Sequence, residues 1–170
     1  SDMQGNDIRI ILSGILVSVM LLFGCPDFLH QKGMHVALTY HLFHANIFHL
    51  AANLLSVWLI FRRGVRYGWQ PIVLAYVIAV VSWFFSAGSV AGVSNMIFAY
   101  LGLRTPSLRD GWWRQSAVIT FLVVTLAMAF LPNVSGITHI VSFVLGCACA
   151  AFRRILNGIA SDYRRASYHQ

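Results

Sequence analysis

Six apolar stretches, at about residues 8–24, 43–61, 70–86, 93–103, 115–131 and 138–152, take up most of this 170-residue chain. Five are about 15–19 residues long, near the lower limit for a helix that crosses a hydrocarbon core of roughly 30 Å. Helix breakers or paired charges separate them: Pro26-Asp27, Arg62-Arg63-Gly64, Ser86-Ala87-Gly88-Ser89, Arg104-Thr105-Pro106 and Leu131-Pro132-Asn133. Only 10% of the residues are charged and 58% are hydrophobic, with mean hydropathy +0.71. A soluble domain has about 25% charged and about 45–50% apolar residues. The pattern therefore predicts an all-α membrane protein with six transmembrane helices in one domain, residues 8–153. Residues 1–7 read as an N-terminal tail whose Ser1-Asp2 resembles a tag-cleavage scar, and 154–170 as a basic C-terminal tail.

Charge placement orients the helices. Arg9, Arg62, Arg63, Arg66, Arg104, Arg109, Arg114, Arg153, Arg154, Arg164 and Arg165 all fall in the tails or in alternate loops, and the opposite loops carry only Lys32. Cytoplasmic loops are enriched in Lys and Arg, so both termini are predicted cytoplasmic. The second, fourth and sixth stretches then all start at the outer face. The net charge of +7 is thereby a matter of topology, and no nucleic-acid partner is expected.

Several function classes drop out. The chain has no Glu, and its five Asp lie outside the apolar stretches. An aspartyl protease needs a carboxylate pair, and a zinc protease its His-Glu-x-x-His helix. No metal or cofactor is expected. Cys147 and Cys149 sit two apart on one helix and point in different directions, so with Cys25 they read as packing residues rather than a disulfide framework. Leu22-Phe23-Gly24-Cys25 has the outline of a lipoprotein processing site, but Phe23 is bulky for it and the leader holds only Arg9. Asn133-Val134-Ser135 matches a glycosylation acceptor.

Polar groups at membrane depth are costly and mark candidate sites. The outer ends of the three co-directed stretches hold His49 and Asn53, then Gly92, Ser94 and Asn95, then Thr138 and His139. Serine is a nucleophile once a base is beside it, and histidine is a base near neutral pH. His49 and Asn53, four apart, share a helix face and can both donate hydrogen bonds to a developing oxyanion. Ser94 begins a stretch of only about 11 residues, roughly 16 Å of helix, so it should start below the membrane surface. A helix N-terminus there supplies free N–H groups. Each residue also has a plainer reading. A serine in an apolar helix often bonds the carbonyl one turn back, and His49, Asn53 and His139 could be interhelical polar contacts. His44 reads as a supporting residue.

Taken together, the motifs resemble the rhomboid family of intramembrane serine proteases. His44-Ala-Asn-Ile-Phe-His49-Leu-Ala-Ala-Asn53 is similar to that family's second-helix motif, Gly92-Val93-Ser94 to its Gly-x-Ser, and His139-Ile-Val-Ser142-Phe-Val-Leu-Gly146 to its sixth-helix motif. The resemblance covers about residues 35–152. It implies a six-helix rhomboid-like bundle with Ser94 as nucleophile and His139 as general base. It also implies an oxyanion hole formed by the Ser94 N–H, His49 and Asn53. Gly146, with Ser142 in place of a usual Gly, would let the fourth and sixth helices approach. Asn95 replaces a usual Gly, and Phe98 replaces a usual Tyr under the histidine. The first loop lacks a Trp-Arg motif, with His35-Val36 in that region.

The expected activity is cleavage of a transmembrane or membrane-tethered protein near the outer face, in a multi-pass protein of the bacterial inner membrane. The compact chain also fits a dedicated maturation enzyme of the rhombosortase type. The alternative is a catalytically silent rhomboid-like protein that binds or escorts membrane clients. A transporter reading lacks the internal repeat it should show.

Overall fold

The computed structural model describes residues 2–24, 33–86, 91–105, 111–130 and 136–167. Cys25, Pro26-Asp27, Lys32, Gly88, Arg109 and Asn133 lie outside these residues. The order is β1 (Met3–Gln4), α1 (Gly5–Phe23), α2 (Met34–Thr39) and a 3-10 turn (Tyr40–Leu42). There follow α3 (Ile47–Ile60), β2 (Arg66–Tyr67), α4 (Trp69–Trp83), α5 (Ser94–Leu103), α6 (Gly111–Phe130) and α7 (Gly136–Ser167).

Each apolar stretch is a helix, and the chain forms a helical membrane bundle. Among the described residues, α1 and the Gly136–Ser161 part of α7 are long and apolar enough to cross a bilayer. Met34–Leu42 and Ile47–Ile60, bent by 75°, would together make a third crossing.

Three features differ from the sequence expectation. Residues 34–42 are helical because Val36, Ala37 and Tyr40 bury an apolar edge against Trp83. Next, α1 begins at Gly5, within the expected tail, and β1 pairs antiparallel with β2. The Gly5 N–H donates to the Val65 carbonyl at 2.8 Å, and a Cβ on Gly5 would collide with the Arg62 carbonyl. Finally, α7 runs 32 residues, about 48 Å, straight through Arg153-Arg154. No proline interrupts it, and its arginines, leucines and alanines are good helix formers.

α5 is the centre of the bundle. Eight of its ten residues are buried, as expected of a helix apolar on all sides. Its largest contacts are with α7 and then α4. The α5–α7 crossing is glycine on glycine. A Cβ on Gly146 would strike the Ala99 carbonyl and come within 3.0 Å of the Gly102 Cα; one on Gly102 would strike the Phe143 carbonyl. Small residues of this kind let membrane helices pack backbone to backbone. α1 is tied to α3 by Arg9, which donates to the Trp58 carbonyl and lies 5.2 Å from the centre of that indole, whose N–H reaches Ser13 Oγ at 3.0 Å.

Candidate active site

Ser94 is the first residue of α5. The turn before it needs glycine, since Gly92 has φ +93°, a conformation that side-chain-bearing residues rarely adopt. The Gly92 N–H donates to the Tyr40 carbonyl at 3.0 Å, and the Ile97 N–H to the Val93 carbonyl at 3.0 Å. The helix geometry leaves the N–H groups of Ser94 and its successors without intrahelical acceptors. The positive end of the helix dipole lies at the same point. With ten residues, α5 is about 15 Å long, half a hydrocarbon core.

His139 sits in the first turn of α7, and its Nε2 is 2.7 Å from Ser94 Oγ. The α5–α7 glycine contact, about two turns further along each helix, makes that approach possible. Both residues are buried. If Nε2 accepts from the serine, the ring proton is on Nδ1, which is buried without a hydrogen-bond partner. The imidazole is stacked against an aromatic ring. Phe98 lies 4.9 Å away at 32°, and Phe98 is braced edge-on by Phe121 at 4.8 Å.

Two further buried polar side chains come from α3. Its first turn is capped by Asn46, whose side chain accepts the His49 N–H at 2.9 Å, which fixes the helix phase. His49 and Asn53 are then one turn apart, both buried. A Cβ built on Gly92 would lie 2.8 Å from Asn53 Nδ2, 2.8 Å from His49 Cε1 and 3.0 Å from His49 Nε2. Both polar tips therefore point at the backbone two residues before Ser94. Asn53 keeps both polar side-chain atoms buried and without a hydrogen-bond partner, a costly arrangement. His44 is wholly buried edge-on to His49, 5.3 Å between rings.

Asn95 is also wholly buried. Its amide donates to the Tyr40 hydroxyl at 2.9 Å, and that hydroxyl donates to the Ala79 carbonyl at 2.9 Å. Tyr40 thus holds Asn95 with its ring and Gly92 with its backbone. Sequence reasoning overlooked Tyr40 and Gly102. The buried amide of Asn95 was the available signal for the first, because it demanded a partner. Gly102 is the last residue but one of α5, where its pairing with Gly146 depends on the crossing point. Ser142 is wholly buried on α7 with its hydroxyl unpaired. Among the described residues no three His, Cys or acidic groups converge as metal ligands would.

Comparison with known proteins agrees on one family. The model of the Rhomboid domain matches residues 31–155. A relative named RHOMBOID-like protein 1, from Arabidopsis thaliana, is 31% identical over 117 residues, which cover 61% of this chain and 30% of that protein. The match thus spans about a third of the relative's length. No solved structure matches the chain.

Proposed function

The chain belongs to the rhomboid family, and on that premise we propose that it is an intramembrane serine endopeptidase working through Ser94 and His139. The observation that carries the reading is the 2.7 Å contact between His139 Nε2 and Ser94 Oγ, with Asn53 Nδ2 buried and unpaired beside Gly92. Rhomboid proteins act on membrane proteins within the bilayer, so the proposed substrate is a transmembrane or membrane-tethered protein. A helical substrate hides its carbonyls in hydrogen bonds and must unwind at the cut, which favours glycine or proline nearby.

In the proposed reaction Ser94 Oγ attacks the scissile carbonyl carbon while His139 Nε2 takes its proton. The carbonyl oxygen becomes an oxyanion facing the Ser94 N–H, Asn53 Nδ2 and His49 Nε2, which must then carry its proton on Nε2. His139 returns its proton to the departing amide nitrogen, leaving an ester on Ser94. Water, deprotonated by His139, adds to that ester, and as the second oxyanion collapses His139 returns the proton to Ser94 Oγ, which releases the acid and restores both residues. Positioned donors of this type are worth about 10²–10³ in rate each.

The proposed topology has six membrane crossings, with both termini on the arginine-bearing, cytoplasmic side. Ser94 then opens toward the outer face, periplasmic in a bacterial inner membrane. Fluorophosphonate labelling of the detergent-solubilised chain tests the chemistry. Labelling should be strong in the parent protein and absent in Ser94→Ala and His139→Ala. Folded parent protein that does not label, or labels as much as both variants, would move the reading to a silent client-binding protein. The buried Asn95 favours that second reading, because it occupies a position where the family usually has glycine.

A further inference from the structure

A cavity of about 570 Å³ opens between the start of α4, the end of α5 and the middle of α7. It is separate from the proposed catalytic residues, since Arg104 on its wall and Ser94 lie at opposite ends of α5, about 15 Å apart. Leu74, Phe152 and Leu156 give it apolar walls, and Gln70, Arg104 and Arg153 its polar groups; among the described residues no carboxylate lines it. Arg104 is held in place, its backbone N–H shared between the carbonyls of Tyr100 at 3.0 Å and Leu101 at 3.1 Å. The apolar wall continues along α7 as an exposed stripe of Phe152, Ile155, Leu156 and Ile159, one helix face with each residue 48–62% accessible. The cavity lies on the basic face, where the arginine bias places the cytoplasmic leaflet.

A pair of guanidiniums at the mouth of an apolar groove suits an amphiphile with an anionic head. Guanidinium groups recognise phosphate by paired hydrogen bonds, and basic pockets between membrane helices hold anionic headgroups. We propose that this cavity binds an anionic glycerophospholipid of the adjoining leaflet. The phosphate sits between Arg104 and Arg153, and the acyl chains run along Leu74, Leu103 and Ala150 toward the bilayer midplane. The volume suits a headgroup and the upper part of two chains. A free anion would leave those walls unused. This site is independent of the protease reading.

The test uses the full chain in neutral detergent, with retained lipid measured by native mass spectrometry and melting followed by tryptophan fluorescence. Phosphatidylglycerol should be retained and should raise the melting temperature; phosphatidylcholine and inorganic phosphate should do neither. Loss of one arginine should weaken phosphatidylglycerol binding about fivefold, and Arg104→Gln/Arg153→Gln about 25-fold. Arg63→Gln, exposed on the same face but outside the cavity, should bind as the parent does. Equal retention of phosphatidylcholine, equal loss in Arg63→Gln, or parent-like binding by the double variant would overturn the proposal. So would stabilisation by phosphate alone, which would mark a free-anion site. If the double variant does not fold, Arg153→Gln decides, because that exposed side chain can be shortened without disturbing the bundle; parent-like binding by it would refute the site.

Discussion

Replacing Gly92 with alanine should silence the serine without unfolding the chain. Two effects add at that position. The backbone has φ +93°, which costs a residue with a Cβ about 1–3 kcal/mol. The new methyl would also lie 2.8 Å from both Asn53 Nδ2 and His49 Cε1. Ordinary contacts begin near 3.4 Å, so each side chain must retreat by about half an ångström, or the loop must move. Either shift displaces the two proposed oxyanion donors, and losing one such donor lowers a rate about 10²–10³-fold, roughly 2.7–4 kcal/mol. The lower end is the better expectation, because the donors are moved rather than deleted. Gly92→Ala should therefore react with a fluorophosphonate about 100-fold more slowly than the parent, in a second-order rate measured under matched detergent conditions. Its melting temperature should fall by no more than the backbone strain requires. Folded Gly92→Ala that labels within threefold of the parent would refute the placement of His49 and Asn53 as oxyanion donors.

Two further substitutions probe the surroundings of the serine. Tyr40→Phe removes the hydroxyl that joins Asn95 to Ala79 and leaves the Asn95 amide buried and unpaired, at a cost of about 1–3 kcal/mol. Its melting temperature should drop, and adding Asn95→Gly to it should cost less than Asn95→Gly costs alone; strict additivity of the two in a double-mutant cycle would show that they are not coupled. Phe98→Leu removes the ring 4.9 Å from His139, an interaction worth about 0.5–1.5 kcal/mol. Labelling should slow by up to about tenfold while Phe98→Tyr stays near the parent, and an unchanged rate in Phe98→Leu would rule out ring stacking as what orients the imidazole.

Most of the local structure could be read from residue order. The six apolar stretches are the helices α1, α3, α4, α5, α6 and α7, because a continuous run of apolar side chains ended by Pro, Gly or paired Arg leaves the backbone few other ways to satisfy its hydrogen bonds in lipid. The arginine bias placed Ser94, His139 and His49 at one end of co-directed helices. The α2 helix was harder to foresee. Its six residues carry a weak pattern, and it exists because Val36, Ala37 and Tyr40 find Trp83, more than forty positions away. The run of α7 beyond Arg153 was obscured by its charges, which mark the edge of a membrane segment but do not end a helix.

Six of the seven described helices and the chemical types at the site are thus properties of the chain order. They follow from hydropathy, charge and breakers, each acting within a few residues. Distances are of another kind. The 2.7 Å between His139 and Ser94, the meeting of Gly102 with Gly146 and the bond from Asn95 to Tyr40 join residues 44 to 55 positions apart. They depend on how rigid helices cross, and crossing is governed by the fit of many side chains at once rather than by any single stretch.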